Sequence, residues 1–384
     1  MLHIPADSIG LVTPQRVTID QPLLLSCGET LNSYELVYET YGELNQERDN
    51  AVLICHALSG NHHAAGYHSG AEGEKPGWWE SCIGPGKAID TNKFHVVIPN
   101  NIGGCHGSTG PKTINPATGR IWGPEFPQLR FRDWVNSQAQ LADYLGIETW
   151  AAVVGGSLGG MQAMRWTLEY PQRVRHCLLI ATALHLTPQN IAFNELARRA
   201  IVADPNFADG WFLEKGVAPV KGLALARMIG HVTYLSQHQL QERFGRELRE
   251  GTFERGKNAP IQFEIESYLN HKGDRFAEEF DANTYLLITR MLDVFDLARE
   301  YDHDPVAAFS HAHARFLVVS FSTDWRFSPE RSQQIVKALV GAKRDVSYVS
   351  IDTQLGHDGF LAPIPRYVDA LRNYLGNIEC GGGA

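Results

Sequence analysis

The stretch Gly155-Gly156-Ser157-Leu158-Gly159-Gly160 decides how this chain is read. The residues before it, Thr149-Trp150-Ala151-Ala152-Val153-Val154, form an apolar run of the kind that makes a buried strand. Residues 161–170 after it are rich in helix formers. Ser157 therefore sits at the apex of a sharp strand-to-helix turn. Glycines on either side permit the tight turn and let the flanking backbones approach closely. Such a turn lifts a hydroxyl into a pocket, and the following helix aims its first N–H groups at the same place. The pattern predicts a nucleophilic Ser157. The competing reading is a glycine-rich turn with an idle serine.

Working outward, short apolar runs alternate with helical stretches. Residues 51–56, 94–98, 151–154 and 177–181 read as buried parallel strands, as do 315–321 and 346–351 far downstream. Helices are expected over 134–145, 329–340 and 365–375. Residues 16–41 alternate roughly between apolar and polar and predict early antiparallel strands. The alternation implies an α/β fold with a mostly parallel central sheet and helices on both faces. Residues 187–311 break the pattern, with long amphipathic candidates at 188–203, 221–235 and 282–297. They read as a helical insertion, a lid or dimer-forming element, between core segments 1–186 and 312–384. Residues 380–384 are expected to fray.

Composition narrows the function. The chain has 384 residues, 43% hydrophobic and 20% charged, so it can bury a large core. A formal net charge of −9 argues against a nucleic-acid partner but leaves room for an anionic small molecule at a local basic spot. No apolar run reaches membrane-spanning length, and residues 1–14 lack a basic-then-apolar signal, so a cytoplasmic location is expected. The six cysteines show neither a C-x-x-C pair nor metal-like spacing. Cys55 and Cys177 lie in apolar runs and read as small buried hydrophobes. Cys105 is a rival nucleophile without strand–helix context. No metal is expected.

A serine hydroxyl needs a base within hydrogen-bond reach, and the base needs an orienting carboxylate. Sixteen histidines make a lone histidine uninformative. Position selects His357, which follows the last strand-like run in Gly356-His357-Asp358-Gly359, at the carboxyl edge of the sheet where ligands bind. Asp324 follows the preceding strand in Thr323-Asp324-Trp325-Arg326. Ser157, Asp324 and His357 thus occur in the chain order Ser, acid, His. Asp352 and Asp358 are rival carboxylates, the first too near the strand end and the second too near His357. For an oxyanion, the backbone N–H of Leu158 is the first donor. Leu58, in the loop after residues 51–56, is the candidate second.

These residues, with His56-Ala57-Leu58-Ser59-Gly60, Asn101-Ile102-Gly103-Gly104-Cys105-His106-Gly107, Ala226-Arg227-Met228-Ile229-Gly230-His231 and Phe280-Asp281-Ala282-Asn283, make the chain resemble the homoserine O-acyltransferases of the α/β-hydrolase superfamily. The resemblance covers essentially the whole chain. It implies an α/β-hydrolase fold with an inserted helical lid, and acyl transfer from acyl-coenzyme A to the hydroxyl of L-homoserine in methionine biosynthesis. It also implies a homodimer joined through the insertion, with no metal and no cofactor beyond the co-substrate. By resemblance Arg227 binds the homoserine carboxylate and Asp358 its ammonium. Tyr234, seven residues after Arg227 and on the same helical face, is either a pocket residue or core.

The donor is read from Arg326, two residues after Asp324. Succinyl ends in a carboxylate and acetyl does not, so a pocket arginine favours succinyl-CoA. The region 323–328 also resembles the succinyl-using members. The competing readings are an Arg326 facing solvent or holding coenzyme A phosphate. Acetyl transfer to homoserine, succinyl transfer to serine and simple esterase activity are the alternatives for the reaction. A non-catalytic binding module is the remote one.

Overall fold

A computed structural model describes residues 3–249 and 263–381; of the tail expected to fray, residues 382–384 lie outside the described residues. Eight strands form one sheet. In chain order they are β1 Gln15–Ile19, β2 Tyr34–Tyr41, β3 Ala51–Cys55, β4 His95–Pro99, β5 Ala152–Gly156, β6 His176–Ile180, β7 Arg315–Phe321 and β8 Val346–Ile351. Their spatial order is β1-β2-β4-β3-β5-β6-β7-β8. Strands β1 and β2 pair antiparallel, as the alternating residues 16–41 predict, and β2 joins β4 antiparallel. Every other pairing is parallel. The inner parallel strands are buried on both faces, which is why they read as unbroken apolar runs.

Helices α1 Phe131–Tyr144, α2 Leu158–Glu169, α9 Pro329–Gly341 and α10 Pro365–Gly376 cover the sheet. Their side chains and those of the strands form two apolar clusters, the larger containing Trp134, Met161 and Phe316, the other Ile54, Val154 and Tyr367. Between β6 and β7 lie α3 Pro188–Val202, α4 Val220–Tyr234, α5 Gln237–Phe244, α6 Glu264–Glu279, α7 Ala282–Val294 and α8 Pro305–Phe309. The expected strand and helix ends hold to within a few residues. Helix α1 begins three residues earlier than expected. The Asp133 carboxylate turns back to accept the Arg130 N–H at 2.7 Å, so an acid just outside the expected helix lies in its first turn and caps it. Helix α7 stops three residues short of the expected end, because Phe295 is extended.

The described residues of segment 187–311 pack a small core of their own, including Ile201, Leu223, Phe276 and Tyr285. It is also tied to the ends of β7 and β8. The Trp325 indole N–H donates to Leu235 O at 3.1 Å, and the Asn190 amide donates to Arg326 O at 3.0 Å. The Ser236 hydroxyl donates to Gln354 O. Gly356 adopts φ +65°, and a Cβ there would stand 2.6 Å from Tyr234 O and Ser236 N. The C-terminus of α4 therefore rests directly on the loop that carries His357.

Candidate active site

Ser157 occupies the turn between β5 and α2 with φ 56° and ψ −123°, a strained backbone for a non-glycine residue. The glycines explain how the strain is held. A Cβ on Gly155 would lie 2.1 Å from Gly159 C, and one on Gly159 would lie 2.0 Å from Cys55 O. Gly160 backs onto Thr182, whose hydroxyl donates to Ser157 O at 2.7 Å. The Ser157 N–H donates to Ile180 O at 2.8 Å, which fixes the turn to β6.

The three residues in the expected chain order meet. His357 Nδ1–H donates to Asp324 Oδ2 at 2.7 Å, which leaves Nε2 to accept the Ser157 hydroxyl at 2.9 Å. Asp324 is 2% exposed and His357 4%. The second oxygen of Asp324, Oδ1, accepts the backbone N–H groups of Arg326 and Phe327, each at 2.9 Å. Every lone pair that matters on this buried carboxylate is thus directed, and the imidazole has one orientation. Asp352 is exposed and instead accepts from the Ser322 hydroxyl at 2.9 Å. Burial pushes the Cys105 thiol up to about 12, which keeps it protonated and removes it as a rival nucleophile.

Leu158 is the first residue of α2, so its N–H has no partner within the helix. Leu58 lies in the turn closed by Gly60 N–H to Ala57 O at 3.0 Å. Among the described residues its N–H has no acceptor. Below these donors runs a buried polar chain that sequence reasoning missed. His56 Nδ1–H donates to Ala57 O at 2.8 Å, and its Nε2 accepts the Asn101 N–H at 3.3 Å. The Gln162 amide donates to His56 O at 3.0 Å and its carbonyl accepts from Asn101 and Gln138 at 3.0 and 2.9 Å. Burial pushes His56 down to about 4, so this ring is neutral and structural. The network locks the β3 loop to helix α2, and with it Leu58 to Ser157. Its only sequence signal is four polar residues within apolar surroundings.

The expected substrate-binding residues gather beside the triad. Tyr234 lies 6.1 Å from the His357 ring, centroid to centroid. Arg227 stands over its ring at 5.6 Å and over Phe276 at 4.7 Å, and Arg326 over Tyr234 at 5.5 Å. Arg227 Nη1 donates to the Ser59 hydroxyl at 3.3 Å, next to Leu58. Arg326 is 9% exposed, so it does not face solvent. Its Nη1 donates to Thr233 Oγ1 at 2.8 Å and its Nη2 reaches Asn194 Oδ1 at 3.5 Å. Among the described residues neither arginine forms an ion pair. Both guanidinium groups thus stand against the Tyr234 ring and donate to neutral side chains, and a guanidinium is the side chain whose geometry suits a carboxylate. Asp358, adjacent to His357, is partly exposed. Burial raises its pKa above the ordinary carboxylate value, opposed by the charges of His357, Arg227 and Lys272.

This fold and this triad define a serine acyl-transfer enzyme of the α/β-hydrolase class, and the α/β-hydrolase fold family matches residues 50–361. The chain is 62% identical over 377 residues to the homoserine O-succinyltransferase of Cellvibrio japonicus, covering 98% of this chain and 99% of that one. It belongs to the homoserine O-succinyltransferase family. Among solved structures it resembles homoserine O-acetyltransferase from Bacillus anthracis, with a TM-score of 0.88 and 28% identity, over 96% of this chain and 99% of that one. A crystallised esterase is similar as well, at TM-score 0.84 and 29% identity over 95% and 100% of the two chains. No described helix is long and apolar enough to cross a membrane.

Proposed function

We propose that the protein transfers succinyl from succinyl-CoA to the hydroxyl of L-homoserine through an acyl-serine, in cytoplasmic methionine biosynthesis. His357 takes the proton of Ser157 as Oγ attacks the thioester carbonyl, and the Leu58 and Leu158 N–H groups receive the oxyanion. The tetrahedral intermediate collapses, the C–S bond breaks and the proton passes from His357 to the departing thiolate. Homoserine then enters, His357 removes its hydroxyl proton, and the oxygen attacks the acyl-serine. Collapse returns the proton to Ser157. The chain's own side chains and backbone N–H groups serve each of these steps, with succinyl-CoA as a co-substrate rather than a bound cofactor.

The observation that carries the reading is the pair of uncompensated arginines at Tyr234. Arg227, with Asp358, suits an amino acid, a carboxylate beside an ammonium. Arg326, on the Asp324 loop, suits the distal carboxylate of a succinyl group held on Ser157. Segment 187–311 roofs the site and limits water, the competing acceptor. Six unpaired cysteines suit a reducing cytoplasm. The insertion also exposes Leu196 and Val202 on α3 and Val220, Leu225 and Val232 on α4. Exposed apolar side chains of this kind on the insertion suit a homodimer partner.

The test is coenzyme A release from acetyl- and succinyl-CoA, each crossed with homoserine and serine. The reading expects release to be fastest with succinyl-CoA and homoserine, and a succinylated Ser157 when the acceptor is omitted. Acetyl-CoA preference, serine preference or acceptor-independent hydrolysis at full rate would overturn it.

A further inference from the structure

Outside the acyl-transfer site, strand β2 and the loop after β3 bring together a carboxylate and three imidazoles. Glu39 lies on β2 and is 1% exposed. Its Oε2 accepts the Tyr41 hydroxyl at 2.6 Å and His63 Nδ1–H at 3.1 Å. The Tyr41 oxygen in turn accepts the N–H groups of Ala64 at 3.1 Å and Ala65 at 3.0 Å. The other carboxylate oxygen, Oε1, faces two ring nitrogens, His68 Nε2 at 2.7 Å and His62 Nε2 at 3.9 Å.

His62 is the unexplained member. The residue is 7% exposed. Among the described residues its Nδ1 has no partner, and Nε2 is beyond hydrogen-bond reach of Glu39. A buried polar group left unpaired is costly enough that such groups are rare. Acyl transfer makes no use of it.

We infer that Glu39, His62 and His68 form a binding site for one divalent transition-metal ion of the zinc type. Each offers one ligand atom, and the three atoms lie within 4.8 Å of one another. Tetrahedral zinc with bonds of about 2.0–2.1 Å keeps its ligand atoms roughly 3.3 Å apart, so modest side-chain shifts close the site. Two imidazoles and one carboxylate favour zinc over magnesium or calcium. Tyr41 and His63 already hold the non-ligating oxygen, as groups around a metal centre do. The His68 side chain is 40% exposed, which leaves the fourth position to solvent.

Two ligands lie on the loop whose first turn carries Leu58, and the third is on the sheet. Bound there, the ion would fasten this loop to β2. His62, His63 and His68 are close in sequence, yet without the strand partner Glu39 they are three of sixteen histidines.

The experiment uses the untagged full-length chain, stripped with a chelator and dialysed. Co²⁺ is titrated while visible absorption is followed, then Zn²⁺ is added in competition, and Tm is measured with and without Zn²⁺. The same series is run on His62→Ala and His68→Ala, with near-ultraviolet circular dichroism to show that each is folded. The expected result is one Co²⁺ per chain, displaced by Zn²⁺, with a metal-dependent rise in Tm. Both variants should bind at least about tenfold more weakly, as loss of a ligand dictates. His68 is half-exposed, so its truncation leaves the core intact. Absence of binding by the wild-type chain would overturn the site. So would equal affinity in a folded His68→Ala, or a thiolate charge-transfer band showing that cysteine holds the ion.

Discussion

Replacing Arg326 with leucine separates donor recognition from catalysis. The backbone N–H of residue 326 still reaches Asp324 Oδ1, so the triad keeps its support. What disappears is a buried guanidinium that donates to Thr233 and Asn194 and, among the described residues, has no carboxylate partner. A guanidinium offers five N–H donors in a planar fork, and two neutral partners leave enough free for both oxygens of a succinyl terminus. A hydrogen bond to a charged group contributes about 1.5–3 kcal/mol. At about 1.4 kcal/mol per decade, that is a roughly 10- to 100-fold fall in kcat/KM for succinyl-CoA. Acetyl-CoA has nothing to place against the guanidinium, so its kcat/KM should hold or rise. The assay is thiol release at saturating homoserine with each donor, alongside Tm to confirm folding. Arg326→Lys keeps the charge without the fork and should fall between wild type and leucine. Equal loss with both donors in a folded Arg326→Leu would refute the assignment, since a structural arginine would weaken both.

Asp324→Asn should preserve the fold yet lower kcat by about 10⁴, because an amide stabilises the wrong His357 tautomer; steady-state kinetics would show it. Gly159→Ala forces a Cβ to 2.0 Å from Cys55 O, so the elbow must distort, and differential scanning calorimetry should show a marked loss of Tm. If Asp358 holds the homoserine ammonium as proposed, its raised pKa should give homoserine binding a pH limb. As pH falls through that raised value the carboxylate protonates, and homoserine KM should climb while succinyl-CoA KM does not. The sign for stability is opposite. The folded chain holds this proton more tightly than the unfolded chain, so ionisation removes stability as pH rises from the ordinary carboxylate value to the raised one. Asp358→Asn should abolish the KM limb and be more stable at neutral pH by thermal melt. For the proposed homodimer, Leu225→Glu places a charge on the exposed part of α4 and should leave a monomer in light scattering where the wild-type chain is a dimer.

The triad was legible because each member follows a strand, and parallel strands buried on both faces read as continuous apolar runs. Ser157, Asp324 and His357 needed only those three strand ends and the chain order. Residues whose roles depend on distant partners were less accessible. Arg326 could be proposed, but its neutral cage of Thr233 and Asn194 comes from α4 and α3, more than ninety residues away in sequence. The His56–Asn101–Gln162–Gln138 chain was invisible because each residue alone reads as an ordinary polar side chain. Glu39 was missed for a related reason. On an alternating strand an acid reads as solvent-facing, and only its three imidazoles and Tyr41 explain why it is buried.

The fold and triad do not by themselves choose between hydrolysis and transfer, since the esterase with TM-score 0.84 shares the architecture. The difference must lie in what competes with water for the acyl-serine. Water needs only access, whereas homoserine needs its two charges neutralised before its hydroxyl can reach the carbonyl. In the proposed reaction Arg227, on α4, and Asp358, on the loop of His357, would meet that need. The roof is not an independent cover. It ends on Gly356 and supplies Thr233 to Arg326, so in the proposed reaction the element that limits water also orients the donor arginine and carries the acceptor arginine. A change that loosens α4 should therefore raise hydrolysis and lower transfer together. Thr233→Val is the selective form of that change. It removes one hydrogen bond to Arg326 with little loss of volume, and the ratio of succinate to succinylhomoserine formed should rise. If that ratio stayed fixed while both rates fell, the roof would be acting on the triad alone.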